Sequence, residues 1–206
     1  MLADRIRAEL SAIHAVIDLS PMAGAMVSGQ IDREAYGLML WSMVELHTAF
    51  EDAADGAATL PDVFRAEGFR RAADIRRDLT ALGFTQPEPV NGTVMELMER
   101  FAEWASSTPW KLAGALYVFE GSRMGSMVMA KSLARAFGVA PTAGTGLDYH
   151  LAGVATRPQQ WMAFRSLVNG LHLDAAAEAD VVAGAVDTMT AMADVYEHAP
   201  TRLATC

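Results

Sequence analysis

A histidine near the start of the chain has neighbours of the kind that accompany a metal ligand. His14 lies beside the apolar stripe of segment 2–18, and Asp18 follows it by four residues. On a helix, this spacing lets the carboxylate accept a hydrogen bond from one imidazole nitrogen and leaves the other for a metal ion. Arg7 lies seven residues earlier on the same face, about 10 Å along the axis, within reach of a carboxylate on a ligand bound at His14. A lone helical histidine is more often an ordinary core or surface residue, so both interpretations stay open.

Glycines interrupt a segment whose flanks are good helix formers. Residues 114–126 include Gly114, Gly121 and Gly125, and each glycine costs about 1 kcal/mol relative to alanine inside a helix. Because Gly121 and Gly125 are four residues apart, they share one face. Either two helix backbones touch at that face, or the backbone there lies close to a flat ligand. The spacing alone does not decide between these two interpretations.

The composition excludes several classes of protein. The chain has 206 residues, 52% of them hydrophobic, and 16 basic against 25 acidic residues give a formal charge of −9. With no basic tract, a nucleic-acid partner is not expected. The single cysteine, Cys206, excludes a disulfide framework and a cysteine-based zinc site. No continuous apolar stretch resembles an export signal or a membrane span, so we expect a cytoplasmic protein.

Apolar residues recur at three- and four-residue intervals along most of the chain, which predicts helices. About seven are expected, forming an all-α bundle in a single domain over residues 1–206. Asp32 is expected to cap one helix, and Thr93 with Glu96 to form the capping box of another. Residues 139–157, which are rich in glycine, threonine and proline, are expected to form one extended loop.

Four stretches of the sequence carry a resemblance to a known family. They are the early helix with His14, the lead into the second helix at 29–36, the segment 114–125 and the late helix at 161–165. The most specific is the third, which begins Gly-Ala-Leu-Tyr-Val-Phe-Glu-Gly-Ser. Together they resemble the heme oxygenase family, and in particular its bacterial, biliverdin-producing branch that often accompanies bacteriophytochromes. The fold implied is heme oxygenase-like.

On the proximal side, the resemblance implies heme-binding roles for five residues. His14 is then the axial ligand of the heme iron, and Asp18 is the acidic residue near it. Arg7 and Arg165 match basic positions that pair with heme propionates. Tyr117 lies near a tyrosine that contacts a propionate in the family.

On the distal side, the resemblance assigns Gly121 and Gly125 to the helix that covers the heme. Ser122 stands where animal-type enzymes place an aspartate that organises water. The bacterial branch also has a serine at this position. Ser126 departs from the family, because a second consecutive glycine is usual there. Its side chain is expected either to donate a hydrogen bond in the distal pocket or to narrow that pocket and slow turnover.

The implied reaction is oxidation of heme to biliverdin, carbon monoxide and ferrous iron. It uses O2 and electrons from a ferredoxin or an NADPH-dependent reductase. Because heme is both substrate and cofactor, the protein contributes binding, orientation and electrostatics. The resemblance also implies a monomer, with a bacteriophytochrome as an acceptor of the product.

Other helical proteins fit the sequence less well. A ferritin-like di-iron site needs Glu-x-x-His pairs, and no histidine here has a carboxylate three residues earlier. Thiaminase-like enzymes share the architecture but typically use an internal cysteine, whereas Cys206 is the last residue. A non-catalytic heme- or bilin-binding carrier or sensor stays an alternative, and Ser126 is the feature that motivates it.

Overall fold

The computed structural model describes residues 1–85 and 90–198, so Cys206 lies outside the described residues. The fold is all-α, as the sequence predicts, and no β-strand occurs in the two described stretches. Two 3-10 turns, Asp62–Arg65 and Glu67–Phe69, precede the fourth helix. The α-helices in this part of the chain are α1 (Leu2–Leu19), α2 (Pro21–Ser28), α3 (Arg33–Gly56), α4 (Ala72–Ala81), α5 (Gly92–Ser107), α6 (Trp110–Phe137), α7 (Asp148–Leu151), α8 (Arg157–Asn169) and α9 (Ala175–His198).

These helices number two more than the sequence predicts. One addition, α2, follows a break at Ser20, whose backbone is extended (φ −66°, ψ 148°) and whose hydroxyl accepts from Ala23 N at 3.2 Å. Pro21 fits the first turn of α2 because its missing N–H would have no partner there. The other addition, α7, is a single turn inside the predicted loop 139–157. One turn is too short for apolar periodicity to reveal.

The helix ends follow ordinary capping chemistry, with one correction. Asp32 caps α3 as predicted, because its carboxylate accepts from Ala35 N at 2.7 Å. The capping box predicted at Thr93 is wrong: α5 begins at Gly92, and the side chain of Asn91 accepts from Val94 N at 2.8 Å. Asn is as good an N-cap as Thr, and here it comes two residues earlier.

The longest helix, α6, packs closely along α9 through a pair of glycines. A Cβ atom on Gly114 would lie 2.0 Å from the carbonyl oxygen of Val181, and one on Gly184 would lie 2.1 Å from that of Lys111. Only glycine lets the two backbones approach this closely. Gly114 therefore serves helix packing, the first of the two interpretations considered for this segment.

The first helix, α1, is buried along its first half only. Its buried residues are Leu2, Ala3, Ile6 and Leu10, and its start is fixed by the Tyr117 hydroxyl, which donates to Ala3 O at 3.1 Å. Farther along, Ile13 and Ile17 are only partly buried. The apolar stripe thus continues past the point where the protein itself covers it.

No single helix in the described part of the chain is long and apolar enough to cross a membrane. Taken together, α1 and α2 reach that length and composition, but they meet at a bend of 63°.

Candidate functional site

A cavity of about 650 Å³ lies between the second half of α1 and the middle of α6. Residues of α8 and α9, including Trp161, Met189 and Met192, complete its walls. Its volume is in the range of small-molecule and cofactor pockets. All nine residues singled out from the sequence line this one cavity: Arg7, His14, Asp18, Tyr117, Gly121, Ser122, Gly125, Ser126 and Arg165.

His14 stands on the α1 wall with one ring nitrogen already engaged. Nδ1 of His14 lies 2.9 Å from Oδ2 of Asp18, and the His14 side chain is 58% exposed. In the described residues, Nε2 of His14 has no hydrogen-bond partner. A carboxylate at Nδ1 favours the tautomer with the proton on that atom, which leaves the Nε2 lone pair free to bind a metal.

The donor set around His14 fits a metal that brings most of its own ligands. No group of three or more His, Cys, Asp or Glu side chains suited to a metal ion occurs among the described residues. A bare ion held by protein alone needs several such ligands, as does a di-iron site. A porphyrin iron needs one axial imidazole from the protein, and the unfilled space beside Leu10 and Ile17 of α1 suits a flat apolar ring.

Two glycines form the part of the α6 wall that faces α1. A Cβ atom on Gly125 would meet nothing within 4 Å, and one on Gly121 would lie 3.3 Å from the Trp161 ring. Gly125 therefore does not serve helix packing, in contrast to Gly114, and Gly121 is approached by the Trp161 ring of α8 rather than by another helix backbone. Their effect is to leave the backbone of α6 bare on its cavity side.

Two serines stand beside these glycines. The Ser122 hydroxyl donates to the backbone oxygen of Phe119 at 2.8 Å, so toward other groups it is an acceptor. Ser126 lines the cavity with only 6% of its surface exposed. The α6 wall thus offers hydroxyl groups in the positions where the resemblance expects the distal pocket.

The basic residues lie at the cavity in two different states. Arg165 on α8 donates to Oδ1 of Asp4 at 2.7 Å, and its side chain is 23% exposed. Arg7 is exposed, and within the two described stretches it forms no ion pair. Tyr117 lines the cavity, and its hydroxyl donates its proton to Ala3 O. Burial raises the pKa of the Tyr117 phenol, and Arg165 opposes this effect.

The sequence interpretation missed Tyr149, which lines the same cavity from α7. The Tyr149 hydroxyl lies 3.5 Å from Nε2 of His47, and the two rings meet edge to face. Burial, followed by the charges of Arg71 and Arg123, lowers the pKa of His47 to about 3, so its imidazole is neutral at physiological pH. Because Tyr149 lies in the predicted loop, helical periodicity gave no signal for it.

A buried cluster of charges behind α6 was also missed. Glu120 pairs with Arg123 at 2.6 Å and with Arg71 at 3.7 Å. Arg157 is 1% exposed and donates to backbone oxygens, including Arg123 O at 2.7 Å. Burial lowers the pKa of Arg157 to about 10, so its guanidinium stays charged at neutral pH. Arg71 also lies 3.9 Å from Asp74, so three guanidinium groups face two carboxylates, and the excess positive charge behind the glycine wall favours negative charge in the cavity.

Comparison with known proteins agrees with this geometry. Residues 1–198 match the family model for heme oxygenase. A heme oxygenase of Xanthomonas campestris pv. campestris strain 8004 is 30% identical over 170 residues, which cover 80% of this chain and 90% of the relative.

Solved structures show the same fold. Heme oxygenase-1 from Synechocystis sp. PCC6803, in complex with heme, superposes with a TM-score of 0.82 at 17% identity, covering 95% of this chain and 90% of that chain. The heme oxygenase of Leptospira interrogans also gives 0.82, at 16% identity, covering 95% and 98%. From the family match over almost its whole length and from the Xanthomonas relative, the chain belongs to the heme oxygenase family.

Proposed function

We propose that this protein catalyses oxidative cleavage of heme to biliverdin, carbon monoxide and ferrous iron. O2 is the oxidant, and the electrons come from a ferredoxin or an NADPH-dependent reductase. One observation carries the proposal: a single available imidazole, His14, lies across a cavity of about 650 Å³ from the bare backbone at Gly121 and Gly125. When bound, heme supplies both the iron at which O2 is reduced and the ring that is oxidised.

On the α1 side, the protein holds the iron through Nε2 of His14. Asp18 keeps Nδ1 of His14 engaged at 2.9 Å, which fixes the tautomer and the ring orientation. With one neutral imidazole from the protein, the heme iron would keep a position available for O2. The apolar residues Leu10 and Ile17, which line the cavity, would cover part of the ring.

On the α6 side, the protein contributes shape and weak polarity rather than a strong acid. Gly121 and Gly125 allow close approach of the backbone, and Ser122 accepts hydrogen bonds beside them. The adjacent carboxylate, Glu120, is 4% exposed and is bound by Arg71 and Arg123. The distal hydroxyls therefore orient small oxygen ligands and water without delivering a carboxylic proton directly.

Arg7 and Arg165 set the rotation of the substrate within the cavity. Each lines it with a cationic side chain, and guanidinium groups pair with carboxylates in a fixed fork geometry. Heme carries its two propionates on one edge, so pairing them at the arginines determines which ring edge lies under the glycine wall. Orientation of this kind selects the bond that is cleaved.

The second candidate function is a heme- or bilin-binding carrier or sensor on the same fold. Ser126 favours it, because its side chain is buried against the cavity at a position where the resemblance expects glycine. A narrower distal pocket retains binding while it slows the reaction. The two functions therefore differ in turnover and not in heme affinity.

Titration of the purified protein with hemin tests the binding site. Wild type is expected to give a sharp Soret band at one hemin per chain, and His14→Ala a weak, broad band that added imidazole restores. His172→Ala is the matched control, since His172 is exposed and does not line the cavity. Identical spectra for wild type and His14→Ala would contradict the assignment of the axial ligand.

Ascorbate added to the hemin complex in air then separates enzyme from carrier. Loss of the Soret band with a new absorbance in the red, and biliverdin on chromatography of the pigment, supports the enzyme. An unchanged heme spectrum supports the carrier. The remaining expectations from the resemblance are a cytoplasmic monomer and delivery of the product to a bacteriophytochrome.

A further inference from the structure

The single turn of α7 is held by a carboxylate from a distant helix. Asp78 of α4 is fully buried, and its two oxygens accept from the backbone N–H groups of Asp148, at 2.6 Å, and Tyr149, at 2.8 Å. The leading N–H groups of a helix have no partner within it, so a carboxylate there satisfies them and interacts well with the helix dipole. Asp78 thus caps α7 from about 70 residues away in sequence.

The side chain of Asp148 fixes the same turn from the other side. Its carboxylate accepts from Gly144 N at 2.6 Å and from Nε of Arg77 at 3.0 Å. Because α7 has only four residues, it has no helical stability of its own in water. Its position therefore depends on the hydrogen bonds at Asp78 and Asp148.

The turn that Asp78 holds carries part of the cavity wall. Tyr149 is 5% exposed and lines the cavity, with its hydroxyl 3.5 Å from Nε2 of His47. Ser122 lines the same cavity; burial raises the pKa of the Tyr149 phenol, and the Ser122 hydroxyl is among the groups that oppose this effect. A displacement of α7 therefore displaces the Tyr149 phenol relative to Ser122.

We propose that Asp78 is a positioning residue for the cavity: by holding the two leading N–H groups of α7, it fixes the Tyr149 phenol against Ser122 and His47. Asp78 itself touches no ligand. The inference deepens the proposed function and rests on it, because Ser122 belongs to the wall that faces His14.

The charges around Asp78 make its two hydrogen bonds to α7 sensitive to pH. Asp74 faces Asp78 from its own helix, Asp148 and Tyr149 face it from α7, and Tyr36 faces it from α3. Arg77 pairs with Asp74 and Asp148 instead. Burial raises the pKa of Asp78 to about 7, with the two N–H groups of α7 opposing it. A proton on the Asp78 carboxyl removes an acceptor from one of these groups, so the hold on α7 weakens as the pH falls below 7.

The test is fluorine NMR of the full chain without heme, labelled with 3-fluorotyrosine. The chain has four tyrosines, and Tyr149→Phe identifies the Tyr149 resonance. In wild type, we expect that resonance to shift between pH 6 and 8 with a midpoint near 7. Asp78→Asn is expected to move it at pH 8 and to abolish its pH dependence, while Tyr117, which binds Ala3 instead, keeps its chemical shift.

Matched variants separate positioning from general damage to the fold. Asp74→Asn removes a carboxylate one turn earlier on α4 that makes no hydrogen bond to α7, and it is expected to leave the Tyr149 resonance unchanged at pH 8, where Asp78 is ionised. Asp78→Glu keeps two acceptor oxygens and is expected to retain a pH-dependent resonance. A folded Asp78→Asn protein with the wild-type Tyr149 resonance would overturn the proposal.

If Asp78→Asn fails to fold, Asp78→Glu decides: its longer side chain must displace α7, so a Tyr149 resonance identical to that of wild type at pH 8 overturns the proposal. These measurements need no heme, so failure of the proposed function does not affect them. With hemin bound, Asp78→Asn and Tyr149→Phe are each expected to slow single-turnover heme loss about tenfold, and the double variant no more than either alone, as for residues that act through one contact.

Discussion

Asp4 on α1 and Arg165 on α8 form an ion pair beside the cavity, with Nη2 of Arg165 2.7 Å from Oδ1 of Asp4. Asp4 is about half exposed, and Arg165 is less so, at 23%. Arg165 also lines the cavity. Asp4 therefore fixes the position of the Arg165 guanidinium and neutralises part of its charge. Any anionic group that enters the cavity at this edge competes with Asp4 for Arg165.

Removing the competitor is expected to strengthen hemin binding. Asp4→Asn frees the Arg165 charge for a propionate and should lower the hemin Kd by up to about fivefold, in line with at most about 1 kcal/mol for a partly exposed ion pair. Arg165→Gln should raise the Kd by a similar factor. Fluorescence quenching during hemin titration measures both. Glu178→Gln is the control, since it breaks the α1 to α9 pair with Arg5, and an equal effect there would contradict the explanation.

The same substitution at three glycines of α6 is expected to give three different results. Gly125→Ala should stabilise the protein without heme by about 0.5–1 kcal/mol through helix propensity, because its Cβ meets nothing within 4 Å. The same methyl group enters the cavity, so hemin affinity or turnover should fall. Gly121→Ala should be close to neutral in stability, because its Cβ touches the Trp161 ring at 3.3 Å.

Gly114→Ala is the structural counterpart in this series. Its Cβ would lie 2.0 Å from Val181 O, so α6 and α9 must separate, and we expect a loss of about 3 kcal/mol or failure to fold. Urea unfolding of the three variants without heme gives the ranking. A loss of stability at Gly125 as large as that at Gly114 would show that Gly125 packs against protein.

The contact between Asp18 and His14 predicts the strength of the iron ligand. Asp18→Asn keeps the shape but weakens the acceptor at Nδ1, so the imidazole becomes a poorer donor to iron. Loss of such a partner typically costs 10–100-fold in metal affinity or activity. Because both side chains are more than half exposed, we expect an effect of about tenfold, at the low end of that range. The iron–imidazole stretching frequency of the ferrous complex should fall, and an unchanged frequency would contradict the assigned hydrogen bond.

Ser126 is expected to limit access to the distal side of the cavity. Ser126→Gly removes a side chain that is 6% exposed and lines the cavity, and should speed carbon monoxide binding to the ferrous hemin complex several-fold. Ser122→Ala is the matched control, because its hydroxyl already binds the helix backbone at Phe119 and its loss widens the cavity less. Equal rates in wild type and Ser126→Gly would show that Ser126 does not narrow the route to the iron.

The sequence predicted part of the cavity lining on α1, α6 and α8, but not Met189, Met192 and Tyr196 of α9. His14 and Asp18 share a helix face, as do Gly121 and Gly125, and helical spacing converts sequence distance into spatial distance. Resemblance to a family supplied what spacing could not, namely that α1, α6 and α8 meet around one space. All nine singled-out residues therefore reach the same cavity.

Features that depend on loop conformation or on buried charge could not be predicted in this way. Tyr149 reaches the cavity only because Asp78 organises a turn within residues 139–157. From residue type alone, Glu120 and Arg157 are predicted to lie at the surface, since charged side chains are rarely fully buried unless they are paired. Glu120 and Arg123 are only three residues apart, but a local pair does not reveal burial, and Arg71 and Arg157 join the cluster from distant parts of the sequence.

Two buried histidines predict that the protein is sensitive to acid. Burial, with Arg157 as the second cause for His150 and Arg71 for His47, lowers the pKa of each imidazole from 6.5 to about 3. The unfolded chain therefore binds protons below pH 6.5 that the folded chain does not, and stability falls as the pH falls from 6.5 towards 3. Over pH 7 to 5 the two histidines together cost up to about 4 kcal/mol.

Protonation of Asp78 has the opposite effect on the free energy of unfolding. Variants of Asp78 and His150 therefore separate the two contributions. Because burial raises the pKa of Asp78 to about 7, the folded protein binds a proton more tightly than the unfolded chain and gains about 2 kcal/mol between pH 7 and 5. Urea unfolding at pH 7 and pH 5 should thus show a net loss of about 2 kcal/mol in wild type. The loss should grow in Asp78→Asn and nearly disappear in His150→Phe, where one of the two histidine contributions is absent. The same loss in all three proteins would mean that other groups govern acid unfolding.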